Sequence, residues 1–453
     1  MSAAEALLTP ERLARLDQIN ARKQAAVGAA FDLEEIQPTP ARADRKPVMD
    51  TAAFHGLAGD VVRAIHPTTE ADPVAVLATF LTAFGGAVGR GPHMMIGESR
   101  HGANLFIALV GETSRGRKGD SSRAVINRVM YEADRDWTLD RVMGGLSSGE
   151  GMIHTIRDEV LNASGGVTGD GVDDKRALFI EEELSQVLKA AQRQGATISE
   201  IIRRAWDSPA VLRTLTKANP SKASDPHISI IGHITKAELA RLIRETELAN
   251  GFANRFAWFR VHRERLIADP QPMPFETVQE LGRRTRAALE YSRSVGRIAR
   301  DAEAADMWQT AYSGLEHDRP GLSGAITARS SPIVCRLSLI YALMDYSPVI
   351  RVDHLEAAVA VWDYAQASVE SIFGDLTGDD VSDRILDALR TEGEQTRTQL
   401  YDAFGRNVPS ARIGHSLTLL HEGGKITVWK QKSQPGGGRP STIYRLVERE
   451  AAS

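Results

Sequence analysis

Between Leu105 and Ser121 the chain changes character three times. Leu105–Phe106–Ile107–Ala108–Leu109–Val110 is an unbroken run of apolar or small residues. Gly111–Glu112–Thr113–Ser114–Arg115–Gly116 is bounded by glycines, and Arg117–Lys118–Gly119–Asp120–Ser121 leads into a helical pattern. This reads as a buried strand, a glycine-bounded loop and a helix start. It is also the layout of a phosphate-binding loop, in which glycines let backbone N–H groups turn inward around a triphosphate and a lysine adds a point charge. The usual spacing places four residues between the glycines and then Gly-Lys-Ser/Thr. Gly111 and Gly116 fit, Arg117 stands where the lysine is expected, and Lys118 follows one place late. The nucleotide-binding set is therefore Gly111, Thr113, Gly116, Arg117, Lys118, Gly119, Asp120 and Ser121, with Ser121 as the magnesium hydroxyl. The bland alternative is a Gly/Ser/Arg-rich surface turn.

From Asn104 to about Arg260 strands alternate with helices. Strands are predicted at Leu105–Val110, Ala177–Ile180, Ile228–Ile231 and Phe256–Val261. Such alternation implies a mostly parallel sheet flanked by helices. Upstream, residues 1–49 read as a flexible tail with a helix over Pro10–Lys23. Residues 50–103 read as a helical subdomain in which Val74–Phe84 is a buried helix broken by the stretch Gly85–Pro92. Residues 104–265 form the core and 266–375 a helical lid with helices at Ala302–His317, Ser331–Asp345 and Val352–Ile372. After a linker at Gly374–Asp380, residues 381–448 form a small domain. Its helices at Val381–Leu389, Arg397–Phe404 and Ser410–His421, and its ribbon at Lys425–Trp429 and Ser441–Leu446, predict a winged helix-turn-helix.

A loop that binds phosphate needs acids on a neighbouring strand to hold magnesium and polarise water. Ala177–Leu178–Phe179–Ile180 runs into Glu181–Glu182–Glu183 about sixty residues downstream. Glu182 is the metal-side acid and Glu183 the water-activating base; the alternative is an acidic helix start favoured by the macrodipole. In nucleotide-hydrolysing sheets the strand between these two sites often ends in a polar sensor. Ile228–Ile231 leads to His233 and Thr235, of which Thr235 could equally cap the next helix. Arg255, set between aromatic residues in Gly251–Phe252–Ala253–Asn254–Arg255–Phe256, is the candidate for an arginine that enters a neighbouring subunit's site. Its alternative is a local ion pair with Glu245 or Glu247. Arg329 is preferred over Arg336 as a lid arginine. Leu212–Lys217 is basic and polar enough to face a nucleic-acid strand.

Several of these segments resemble the P-loop ATPase module of primase–helicase proteins of prophages, plasmids and other mobile elements, a family of unknown-function domains. They are Phe54–Gly59, Glu70–Ala75, His101–Phe106, Gly116–Gly119, Ile228–Thr235 and Ala249–Phe256. The Arg-Phe turn and the helices after it are also similar to minichromosome-maintenance-type AAA+ helicases. The resemblance covers roughly Asp50 to Leu446. It implies an α/β P-loop NTPase sheet of AAA+/RecA-like type with a helical lid and a C-terminal winged helix. It also implies ATP and Mg2+ as ligands, Arg255 acting in trans, Arg329 as lid sensor and a homo-hexameric ring on single-stranded or forked DNA. Larger relatives carry a primase-polymerase domain upstream, so a separate primase is the expected partner. Asp120 departs from the Lys-Gly-Thr-Ser associated with that loop, and an acid beside phosphates weakens hydrolysis unless magnesium or Arg117 offsets it.

The sequence thus predicts a DNA-dependent ATPase acting as a replicative helicase or helicase-like motor. A non-motor replication initiator with nucleotide-switched assembly, or a phage-defence ATPase, is the alternative. In the small domain Arg397, Arg412, Lys430, Lys432 and Arg439 are the DNA-phosphate contacts. The net charge of −4 excludes a general polyanion binder. Cys335 is alone in the chain, which excludes an internal disulfide and a cysteine zinc site. No signal peptide or membrane span is evident, so a cytoplasmic protein is expected.

Overall fold

A computed structural model describes residues 46–447, apart from 113–117, 163, 165, 215–220, 243–250, 318, 320, 374–378, 406 and 432–440. The helix expected over Pro10–Lys23 and the loop residues Thr113, Gly116 and Arg117 lie outside the described residues, as do Lys432 and Arg439. The chain separates into two compact units, Arg45–Asp380 and a smaller one from Val381 onward.

The larger unit is built on five parallel strands: β1 (Phe106–Gly111), β2 (Val142–Met143), β3 (Arg176–Glu181), β4 (His227–Thr235) and β5 (Ala257–Arg260). Their order across the sheet is β5-β1-β4-β3-β2. β1 is buried along its whole length and β4 along all but its last residue. Strands without a polar face must be covered on both sides. Along β4 the side chains alternate accordingly. Ser229 lies under Gly86 of the helix α2 (Pro73–Val88), whereas Gly232 lies under Leu184 of α4 (Leu184–Ala191). A Cβ on Gly232 would stand 2.7 Å from Leu184 Cδ2, so glycine lets α4 close onto the sheet. The helix α5 (Ile198–Trp206) covers the same face as α4.

Helix α2 ends inside the expected Gly85–Pro92 break but about one turn later than its first residue: it runs to Val88 and stops at Gly89, whose φ is +90°. A Cβ on Gly85 would sit 2.1 Å from the Ala103 carbonyl oxygen. The glycine therefore serves close approach to the chain entering β1. The helix starts where it does because Pro73 occupies its first turn and the Asp72 carboxylate accepts from the Val74 N–H at 3.0 Å. Asp72 also ion-pairs with Lys46 and accepts from the His262 N–H, which ties the chain leaving β5 back to the start of α2.

The region after β5 is helical, as expected: α7 (Phe275–Ser294), α8 (Ala302–Leu315), α9 (Ser330–Met344) and α10 (Val352–Phe373). Helix α10 lies along the edge strand β5. Tyr364 stacks on Phe259 with ring centroids 6.3 Å apart, and Phe373 meets Trp258 edge-on. No helix among the described residues is long and apolar enough to cross a membrane.

The smaller unit holds α11 (Asp380–Glu392), α12 (Arg397–Ala403) and α13 (Ser410–Glu422). Its antiparallel sheet consists of β6 (Gln395–Thr396), β7 (Ile426–Gln431) and β8 (Ser441–Leu446), in the order β6-β8-β7. Ile385, Leu400, Ile413, Leu417 and Ile426 fill its core. Thr396 starts α12 with a capping box closed by Gln399. The two-residue strand β6, absent from the sequence reading, makes the predicted ribbon three-stranded.

Candidate functional site

The carboxyl ends of β1, β4 and β3 stand side by side. Gly111 is level with Thr235 on β4, and Gly232 is level with Glu181 on β3. Two strand spacings, about 10 Å, separate the glycine that opens the loop from the strand that carries the acids. The helix α3 (Lys118–Ala124) follows the loop and continues through a π-helical stretch, Val125–Met130, to Ala133. Lys118 is its first residue; the Lys118 side chain lies outside the described residues. Gly119 and Asp120 are half-buried and Ser121 is fully buried. Next to it, Ser122 Oγ lies 3.4 Å from His233 Nε2, so the loop helix and the middle strand touch directly. Thr235 takes the alternative role: its hydroxyl and Glu238 exchange hydrogen bonds at the start of the helix α6 (Lys236–Leu242).

Asp120 has a partner that the sequence reading did not name. Its carboxylate pairs with Arg123, one turn along α3, at 2.9 Å. Glu112, the first loop residue, accepts from Arg260 at 2.8 Å, and Arg260 also donates to Ser371 of α10. Tyr364 of the same helix donates to the Arg260 carbonyl at 2.6 Å.

Of the three consecutive acids, Glu181 ends β3 and is buried. Its Oε1 accepts from the Leu146 N–H at 2.8 Å. Burial pushes its carboxyl above the ordinary range, against the opposing hydrogen bonds from the Leu146 and Gly145 amides. Glu182 and Glu183 are exposed. Glu183 accepts from Gln186 at 3.1 Å, while Glu182 has no hydrogen-bond or ionic partner among the described residues. The segment clasping Glu181 was missed in the sequence. Gly144 lies so close to the Ile180 carbonyl oxygen that a Cβ would come to 2.7 Å, and Gly145 has φ +88°. Its legible signal is the Gly-Gly pair followed by Ser148, which caps Gly149–His154.

Beside α3 lies an open cavity of about 560 Å³. Its walls come from Thr68–Glu70, from Arg123, Asn127 and Arg128 on α3, and from the connection Ile267–Met273. Glu70 fixes the last wall by accepting from the Ile267 N–H at 2.7 Å and from Arg263. The sequence could not reveal it, because three distant segments build it.

Arg255 and Arg329 lie elsewhere. Arg255 is buried and donates to the carbonyls of Arg203 and Gly251 and to Asp207 Oδ2 at 3.3 Å. Its ionic partner is thus Asp207; Glu245 and Glu247 are outside the described residues. Arg329 reaches the other oxygen of Asp207 at 3.8 Å. Both guanidinium groups, with that of Arg336, surround the Trp206 ring at 5.9, 4.8 and 3.9 Å. Arg336 is fully buried and donates to the carbonyls of Asn104 and Trp206, a packing role. Asn104 precedes β1, so this cluster sits at the amino edge of the sheet, about 20 Å along β1 from Gly111.

Two hairpins extend from that same edge, Val160–Leu161 with Val167–Gly169 and Val211–Arg213 with Lys222–Ser224. Asp158 joins their bases, accepting from Lys175, the Ser224 amide and the Ser224 hydroxyl. Arg213 and Lys222 are exposed on the second hairpin, and Lys217 is outside the described residues.

His55, Asp345 and His354 bring three ligand atoms within 4.8 Å of one another. The Arg351 N–H donates to His354 Nδ1 at 3.0 Å, so His354 Nε2 keeps its proton and donates to Asp345. That protonation suits a hydrogen-bonded staple rather than a metal centre. The hydrogen bond to Asp345, 2.5 Å long, raises the His55 pKa against the effect of burial. Asp345 is lowered, because the bonds from His354 and His55 outweigh its burial. A raised histidine contributes stability below its unfolded pKa and loses it as pH climbs through the folded value. Melting curves should therefore show His55→Gln destabilising the protein by about 2 °C near pH 5.5 and by much less near pH 8.5. Equal losses at both pH values would remove the charged staple.

In the smaller unit Arg397, Arg412 and Lys430 are exposed. Arg397 also donates to the Ser410 carbonyl at 3.2 Å, bracing the start of α13. The sequence matches no protein-family model and no curated protein.

Proposed function

We propose that this protein is a DNA-dependent ATPase of the P-loop, AAA+-like type, working in a ring as a helicase or helicase-like motor of a mobile genetic element. One observation carries the reading. The glycine-bounded loop, a polar-ended strand and a strand ending in acids are adjacent and in that order, with His233 against Ser122 of the loop helix. In this reading the loop amides and Lys118 hold the triphosphate, His233 reports on its terminal phosphate, and Glu183 accepts the proton of the attacking water. The buried hydroxyl of Ser121 and the exposed carboxylate of Glu182 are hard oxygen donors of the kind Mg2+ prefers. When bound there, Mg2+ would neutralise charge developing between the β- and γ-phosphates. The cavity beside α3 is the space for the base and ribose. Arg123 offsets the charge of Asp120, so the acid does not argue against turnover.

Arg255 and Arg329 are too far from their own chain's loop to serve it, which favours their use on a neighbour's nucleotide. The basic edge of the Val211–Ser224 hairpin, with Arg213 and Lys222, offers a track for a phosphate backbone. The smaller unit is read as a winged helix whose exposed Arg397, Arg412 and Lys430 add phosphate contacts. The test is ATP turnover with and without single-stranded DNA, alongside mass measurement with nucleotide bound. Turnover stimulated by DNA, in a species of several subunits, is expected. Negligible turnover with tight binding to one duplex sequence would replace the motor with an initiator.

A further inference from the structure

Among the described residues, the arginine cluster at the amino edge of the sheet holds three guanidinium groups to one carboxylate. Arg255, Arg329 and Arg336 crowd one indole ring, and Asp207 is the carboxylate between the first two. Arg300 adds further positive charge nearby. His101 lies close by, its Nδ1 buried and without a hydrogen bond. Burial, and then the fields of Arg336, Arg329 and Arg300, push its pKa down to about 4, so it stays neutral. Arg255 itself is lowered by burial and by its neighbour Arg329. Two guanidinium groups held this near each other need an anion between them. Asp207 is that anion, and its side chain is half exposed while Arg255 is nearly covered. Its carboxylate is small, singly charged and attached at the end of α5, where Ser208 with φ +48° turns the chain away.

We propose that Asp207 is a tethered stand-in for a phosphate. In a separated subunit it holds Arg255 and Arg329 together on Trp206, and a neighbouring copy's nucleotide displaces it when the ring closes. The inference rests on the trans role of these arginines and adds a regulation to it. The carboxylate keeps the pair pre-assembled, and it also competes with the ligand the pair is built for. A triphosphate carries more charge and more acceptor oxygens than one carboxylate, so it wins only when delivered in place by a bound neighbour. Assembly and nucleotide occupancy are coupled through this exchange.

The experiment is the protein concentration at which subunits assemble with a non-hydrolysable ATP analogue, followed by sedimentation of the full chain. Asp207→Asn keeps the size and removes the charge. It should lower that concentration by about fivefold or more, the range of a moderate coupling between sites. Asp207→Glu keeps the charge and should stay near the wild-type value. A role resting on side-chain size would give the reverse order. Melting temperature checks the fold, and Asp207→Ser gives the same reading should Asp207→Asn not fold. Arg255→Ala separates the two levels. If it abolishes assembly while Asp207→Asn assembles no more readily than wild type, the stand-in is refuted and the trans reading survives. If Arg255→Ala assembles and turns over ATP as wild type does, the trans reading falls and takes the inference with it.

Discussion

Arg255→Ala should reduce ATP turnover by about a thousandfold or more while leaving nucleotide binding within a few-fold of wild type. A loss of that size corresponds to roughly 4 kcal/mol of transition-state stabilisation. The expectation follows from position. Arg255 sits beside the start of β1, a full strand length from Gly111, so a nucleotide held at the proposed loop site of its own chain is out of its reach. In the proposed function it acts across an interface. Mixing Arg255→Ala with Glu183→Gln should restore part of the activity, because some interfaces then pair an intact loop and base with an intact arginine. Fluorescent-nucleotide titration and steady-state turnover of the mixture are the measurements. A mixture no more active than its components would place the arginine's effect within the subunit.

Lys118→Ala and Glu183→Gln should each remove turnover by about two to three orders of magnitude, for different reasons. In the proposed site Lys118 would supply charge where phosphate negative charge concentrates, and removing such a donor typically costs a hundred- to a thousandfold. Glu183→Gln keeps the shape of the acid but cannot take a proton from water, a step worth a similar factor. Lys118→Ala should also weaken nucleotide binding, whereas Glu183→Gln should bind normally and stall. Glu183 already touches Gln186, and Glu182 next to it has no partner among the described residues, so Glu182→Gln is the internal comparison. If Glu182→Gln stalls and Glu183→Gln turns over normally, the two roles exchange. If neither variant changes the rate, the acids of β3 are only a helix start.

What the sequence revealed depended on length and on locality. Four strands were legible because each is a long apolar run; β2, with two residues, has no period to read. The predicted helix ended about one turn early, at Phe84, because the reason for Gly85 lies at Ala103, on another segment. Thr235 and Glu238 were readable as a cap because they are three residues apart, but the spatial position of β4 between β1 and β3 is set by packing. Arg255 stood out through its aromatic neighbours Phe252 and Phe256. Its partner Asp207 did not, since 48 residues separate them. Glu181 was passed over for Glu182 and Glu183, because the amides of Gly145 and Leu146 that engage it come from a loop before β3.

Arg260 has a mechanical consequence. It holds Glu112, where the loop begins, and Ser371 near the end of α10, while its own carbonyl is held by Tyr364. Anything that tilts α10 must either break these contacts or carry Glu112 with it, so the end of the helix and the end of β1 move as one lever.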